Sequence, residues 1–159
     1  MVFSMTSCLD VEPQSEITDA GYWKEEGQFS SANTGLQAMF RDRTFNLYLW
    51  GEMRTNLYGG SPFSGEASSG YEFMWNNLLS QASPAISNYG SCYGFINQLN
   101  LMIAKAENTN IIKEAAKNNY LGSAYGMRAF IYFQLLRTYG DVIVVTDYTK
   151  GSDISIGNM

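Results

Sequence analysis

The run from Leu121 to Val145, LGSAYGMRAFIYFQLLRTYGDVIVV, limits the possible folds of this chain more than any other stretch. It is a long apolar segment with interior glycines at Gly122 and Gly126, an arginine in mid-run and a Gly140-Asp141 stop. Leu121, Ala124, Tyr125, Tyr132, Leu135, Leu136 and Tyr139 recur at helical spacing, which predicts a buried helix. A second stripe, Ala115, Gly122, Gly126, Ala129 and Phe133, is mostly small. Each interior glycine costs a helix about 1 kcal/mol relative to alanine, so a compensating gain is expected. The natural one is a neighbouring helix that approaches closely where no side chain obstructs it. Stacked helix pairs of this kind serve more often as binding frames than as catalysts.

The remaining pattern extends the helical reading. Thr18 or Asp19 is placed to cap a first helix running to about Phe40, with an apolar stripe of Phe29, Ala32, Leu36 and Met39/Phe40. Arg41-Asp42-Arg43 marks its charged end, and a short helical or irregular piece follows from Phe45 to Arg54. Residues 59–70, rich in Gly, Ser and Pro, form the longest clear loop, and Tyr71–Ser80 reads as a short helix. Ser83-Pro84 is a good start signal for a helix carrying Tyr89, Cys92, Tyr93, Ile96, Leu99 and Ile103 on one face. Asn108-Thr109-Asn110 breaks it and caps the next helix, which runs to about Arg137 and closes a hairpin through a three-residue connector. Val142–Val145 is a short extended segment, and 149–159 reads as a polar tail. Hairpins of about 34 residues are the tetratricopeptide type, although no internal repeat is visible here.

Composition excludes several classes of function. With a net charge of −5 and no basic cluster, the chain lacks the footprint that nucleic acid requires. It contains no histidine, which removes Ser-His and Cys-His nucleophiles and every imidazole metal site. Gly59-Gly60 precedes Ser-Pro rather than a Lys-Ser/Thr pair, so there is no phosphate-cradling loop. No acidic pair sits in a recognisable hydrolase motif. The expectation is therefore a protein that is not an enzyme and holds neither cofactor nor metal.

Aromatic residues make up 14% of the chain; a core of interlocking helices must claim most of them, and the rest can supply ring faces for stacking on sugars. Tyr58, Phe63, Tyr71, Trp75 and Tyr89 lie in and around the glycine-rich loop. Exposed rings there suit sugar faces, whose C–H groups stack on π surfaces while the rim hydroxyls stay wet.

Residues 121–145 resemble the central signature of the SusD/RagB family, surface nutrient-binding lipoproteins of Gram-negative outer membranes. The match holds at Gly122, Ala124, Tyr125, Arg128, Ala129, Phe130, Tyr132, Phe133, Leu135, Arg137, Tyr139, Gly140, Asp141 and Val142. It departs at Ser123, Gly126 and Ile143, where the family usually has Glu, a large apolar residue and Pro. The resemblance implies an all-α fold of tetratricopeptide-like helical hairpins with irregular loops. It also implies a division into a remnant lipoprotein signal at 1–8, a helical domain at 9–148 and a tail at 149–159. Family members run to several hundred residues, so the chain would correspond to an N-terminal portion.

The same resemblance assigns roles. Cys8, in Val-Phe-Ser-Met-Thr-Ser-Cys, looks like a lipidation site, with Met5 where leucine is usual. Glu52, Arg54 and Asn56 match a segment facing the ligand side, where an arginine fork can bridge vicinal hydroxyls. Tyr89 stands where relatives carry a tryptophan sugar platform, and Cys92 where some offer a side-chain amide. Trp75, from the aromatic set rather than the resemblance, is a further candidate platform, with Met74 and Leu78 pointing to a buried face as the alternative. Asn100 is expected to bond backbone groups, and Arg128 to be a structural charge needing a carboxylate or several carbonyls. The implied function is non-catalytic capture of an oligosaccharide at the cell outer membrane, on a surface-exposed lipoprotein held by a lipid anchor. The implied partner is a TonB-dependent transporter barrel. The alternatives are a helical-repeat adaptor for protein partners, or an incomplete fragment without independent binding.

Overall fold

The computed structural model describes residues 21–51 and 84–150. These form three helices, α1 (Glu26–Gly51), α2 (Pro84–Glu107) and α3 (Glu114–Tyr139), followed by an extended segment that folds back over the α2/α3 hairpin. The described residues contain no β-strand, as the all-α reading requires. The three helices pack on one another around a single core.

α1 differs from expectation at both ends. It begins at Glu26; Thr18 and Asp19 lie outside the described residues. The side chain of Gln28 organises the start, its Oε1 accepting from the backbone N–H of Lys24 at 2.6 Å and of Glu25 at 3.0 Å. The helix then runs unbroken through Arg41-Asp42-Arg43 to Gly51. Arg43 is part of the packing rather than a stop signal. It donates to the Met39 carbonyl one turn back (2.8 Å) and to the Ser91 carbonyl on α2 (3.0 Å), and its guanidinium lies 4.5 Å over the Phe95 ring. The predicted stripe is observed, with Phe29 and Leu36 buried and Ala32, Met39 and Phe40 half-buried against the core.

α2 has the predicted bounds and is the central helix, burying Cys92, Phe95, Ile96, Leu99, Met102, Ile103 and Ala106. The connector is longer than three residues. Asn108 and Thr109 make local side-chain bonds, but Asn110 does not cap α3. Ile112 is buried, and drawing it into the core keeps the chain non-helical until the extended Lys113 (φ −66°, ψ 148°). α3 stops at Gly140, whose φ of 80° is accessible to glycine at little cost; its N–H returns to the Leu136 carbonyl at 3.0 Å.

The inward face of α3 is Ala124, Met127, Ile131 and Leu135. Only Ala124 and Leu135 belong to the stripe read from the sequence. Tyr125 and Leu136 of that stripe are 40% and 53% exposed. The expected close helix over the small stripe is absent among the described residues: a Cβ at Gly122 or Gly126 would meet no atom within 4 Å. Among the described residues no helix is long and apolar enough to cross a membrane.

Candidate functional site

At the N-terminal end of α2, Tyr89 and Tyr93 are one turn apart and their side chains meet. The Tyr89 hydroxyl donates to that of Tyr93 at 3.3 Å, and the ring centroids are 5.0 Å apart. The end of α3 supplies Tyr139, edge-on to Tyr89 at 4.9 Å and 82°. The end of α1 adds Trp50, which meets Tyr139 at 5.6 Å and 81°. Tyr132 joins through Tyr93 at 6.4 Å. The edge-to-face contacts at Tyr139 are the favourable arrangement for ring quadrupoles, and Tyr139 together with Tyr93, tilted at 48°, holds the Tyr89 ring from two sides. Tyr89 remains half-buried.

The cluster is dry enough to affect its ionisable groups. Burial pushes the Tyr139 phenol up to about 12, with Cys92 and Tyr89 adding to the shift. Tyr93 is raised further, first by burial and then by its bond to Tyr89. Burial also raises the Cys92 thiol, against an opposing pull from Arg43, whose own guanidinium is lowered by desolvation. Cys92 is 3% exposed and belongs to the core, so the position where some relatives offer an amide faces inward here. The indole Nε1 of Trp50 is buried without a hydrogen-bond partner.

From this cluster a ladder of polar side chains runs along the α2/α3 hairpin and grips the main chain of 143–149. Tyr93 donates to the Ile143 carbonyl (2.8 Å). Tyr132 donates to the Val145 carbonyl (2.9 Å) and accepts from the Val145 N–H (2.7 Å). Asn100, 1% exposed, donates to the carbonyls of Val145 and Asp147, both at 3.1 Å. Asn97 donates to the Thr149 carbonyl (3.0 Å) and accepts from its N–H (2.9 Å). Arg128 donates to Asn100 Oδ1 (2.7 Å) and to the Thr146 carbonyl (3.3 Å), and it lies 5.0 Å over the Tyr125 ring. Asn100 and Arg128 thus take the structural parts expected of them, and among the described residues no carboxylate pairs with Arg128.

Of the residues singled out as ligand-binding, the structure places Tyr89; Glu52, Arg54, Asn56, Trp75 and the lipidation candidate Cys8 lie outside the described residues. Sequence reasoning missed Trp50, Tyr132 and Tyr139 as walls of the site, and Asn97 as a clamp. The spacing of Tyr93, Asn97 and Asn100, at intervals of four and three on one face of α2, was the available signal.

Comparison with known proteins places this arrangement among relatives. The SusD-like profile described as "Starch-binding associating with outer membrane" matches residues 9–157. A SusD-like protein of Formosa agariphila is 32% identical over 147 residues, which span 90% of this chain and 27% of that protein. Among solved structures, NanU of B. fragilis superposes with a TM-score of 0.76 at 51% identity, covering 87% of this chain and 28% of NanU. A SusD superfamily protein from Bacteroides vulgatus gives 0.72 at 50% identity, covering 80% of this chain and 27% of that one. The chain thus spans about a quarter of the length of the relatives it matches. A profile matched over nearly all of its residues, and a helical frame shared with solved relatives, establish that the chain belongs to the SusD-like family.

Proposed function

We propose that this chain forms the helical frame of a non-catalytic, surface-exposed glycan-binding lipoprotein of the outer membrane. In this reading it is anchored through Cys8 and delivers oligosaccharide to a TonB-dependent transporter. The observation that carries the reading is the Tyr89 ring, held on α2 by Tyr93 and Tyr139 in a family described as starch-binding. A braced ring loses little freedom when a sugar stacks on it, so more of the stacking energy appears as affinity. Glu52, Arg54 and Asn56 would add hydroxyl-directed hydrogen bonds, and Trp75 a second platform. Release then requires motion rather than bond breaking.

Isothermal titration of the chain against soluble glycans, starch oligosaccharides first, tests this. Saturable heat is expected. Tyr89→Ala should weaken it about five- to tenfold, the equivalent of roughly 1 kcal/mol of stacking. Tyr89→Phe keeps the ring and should bind as the parent does. Silence across the panel, or equal binding by Tyr89→Ala, overturns the Tyr89 platform. Silence with transporter binding intact would identify an adaptor for that partner.

A further inference from the structure

One hydroxyl on α2 belongs to two parts of the molecule at once. Tyr93 accepts from the Tyr89 hydroxyl at 3.3 Å and donates its own proton to the Ile143 carbonyl at 2.8 Å. A phenol has a single proton to give, and here the main chain receives it. The three groups form a directed chain, Tyr89 to Tyr93 to Ile143, in which each bond polarises the next. The rings follow the same route. The Tyr93 ring centroid lies 5.0 Å from that of Tyr89 and 6.4 Å from that of Tyr132, and Tyr132 holds both main-chain groups of Val145.

No residue from 141 to 150 is buried, so the returning segment contributes little apolar area of its own. What holds it is the ladder of side chains on its main chain, and a segment held in this way opens locally at low cost. With so few bonds in the hold, the placement of one donor is felt by the whole segment. Tyr93 loses rotamer freedom when it meets Ile143, and the Tyr89 ring and hydroxyl restrict that freedom beforehand. A rival route runs through Tyr139, which meets Tyr89 at 4.9 Å and precedes Gly140. It reaches only the helix terminus, ahead of the first rung at Ile143.

We infer that Tyr93 is a positioning residue that couples the Tyr89 ring to residues 143–149: a ligand stacked on the ring tightens the segment, and lifting the segment frees the ring. Such coupling is reciprocal by thermodynamic necessity, and its size is the ligand's preference for the braced ring. The link between ring and segment is a property of the fold; only the ligand half rests on the glycan reading.

Hydrogen exchange at the Val145 amide, which is bonded to Tyr132, reads the opening of the segment. In the full chain, Tyr89→Ala should speed that exchange about two- to fivefold, through the freedom Tyr93 regains. Tyr93→Phe keeps the ring, removes both hydroxyl bonds and should speed exchange about fivefold. In the Tyr93→Phe background, Tyr89→Ala should add nothing further. No change with Tyr89→Ala alone overturns the coupling. An equal acceleration in both backgrounds does so too, because the effect then travels through Tyr139 or through general loosening. A second measurement needs no variant. Saturating soluble starch oligosaccharide should slow Val145 exchange about two- to fivefold in the parent. Binding heat with unchanged exchange overturns the ligand half. Absence of heat refutes the Tyr89 platform instead, and the variant cycle alone then decides the coupling.

Discussion

Replacing Asn100 by alanine should release the returning segment from the hairpin. Asn100 is 1% exposed and makes three hydrogen bonds: two donated to the Val145 and Asp147 carbonyls and one accepted from Arg128. A neutral bond contributes about 1 kcal/mol net and one to a charged group about 1.5–3 kcal/mol. The Val145 and Asp147 carbonyls lie on a segment that water can reach once it lifts, and Arg128 keeps its bond to the Thr146 carbonyl, so part of the loss is recovered. About 3 kcal/mol should remain, a fall in melting temperature of roughly 6–12 °C for a chain of this size. Thermal unfolding followed by circular dichroism measures the whole effect. Hydrogen exchange measures the local one, at the amides of Val145 and Thr149, which are bonded to Tyr132 and Asn97. A fall below about 2 °C, with both amides still protected, would show that the ladder contributes nothing beyond what hydration supplies.

Two further predictions concern ionisation and reactivity. The folded state holds the Tyr139 phenol at about 12 and raises Tyr93 and Tyr132 by burial, whereas unfolded tyrosines titrate near 10. The folded chain therefore binds more protons than the unfolded one above that point, so this stabilisation is fully present below pH ~10 and is lost as pH rises through the folded values. The raised Cys92 thiol acts in the same sense from its unfolded value of about 8.5. Urea midpoints should therefore be flat up to pH ~8, begin to fall above it and fall more steeply beyond pH ~10; a midpoint that rises between pH ~10 and ~12 would contradict the buried cluster. In a Cys8→Ser background, Cys92 should react with a disulfide reagent at least ~100-fold more slowly in the native chain than in urea, because it is 3% exposed and burial raises its thiol. Comparable rates in the two states would place Cys92 outside the core.

The helix hairpin could be read from the sequence because local signals agreed with packing. Pro84 fixed the start of α2, and its apolar residues match the buried face. α1 was misread because three successive charges look like a terminus, whereas Arg43 spends its charge on carbonyls and on the Phe95 ring. α3 was ambiguous for a different reason. A helix that is apolar on both sides gives periodicity no unique phase, and Met127 and Ile131 fell between the two stripes read from it. The partner of Arg128 was illegible because Asn100 is 28 residues away, a distance at which spacing carries no information. In the candidate site, Tyr89 was legible as a ring, but the walls that brace it come from the far ends of α1 and α3. Only folding brings those ends together.

The ladder along the hairpin holds main-chain carbonyls and the N–H groups of Val145 and Thr149, which every amino acid supplies except proline, which lacks the N–H. Mutational pressure is therefore unequal on its two sides. Tyr93, Asn97, Asn100, Arg128 and Tyr132 must keep their chemistry, while in the segment they grasp only Thr149 adds a side-chain bond to the ladder, from its hydroxyl to Asn97. Its length has no such freedom: one residue inserted or deleted between Gly140 and Ile143 would offset every rung at once, a frameshift in space rather than in code.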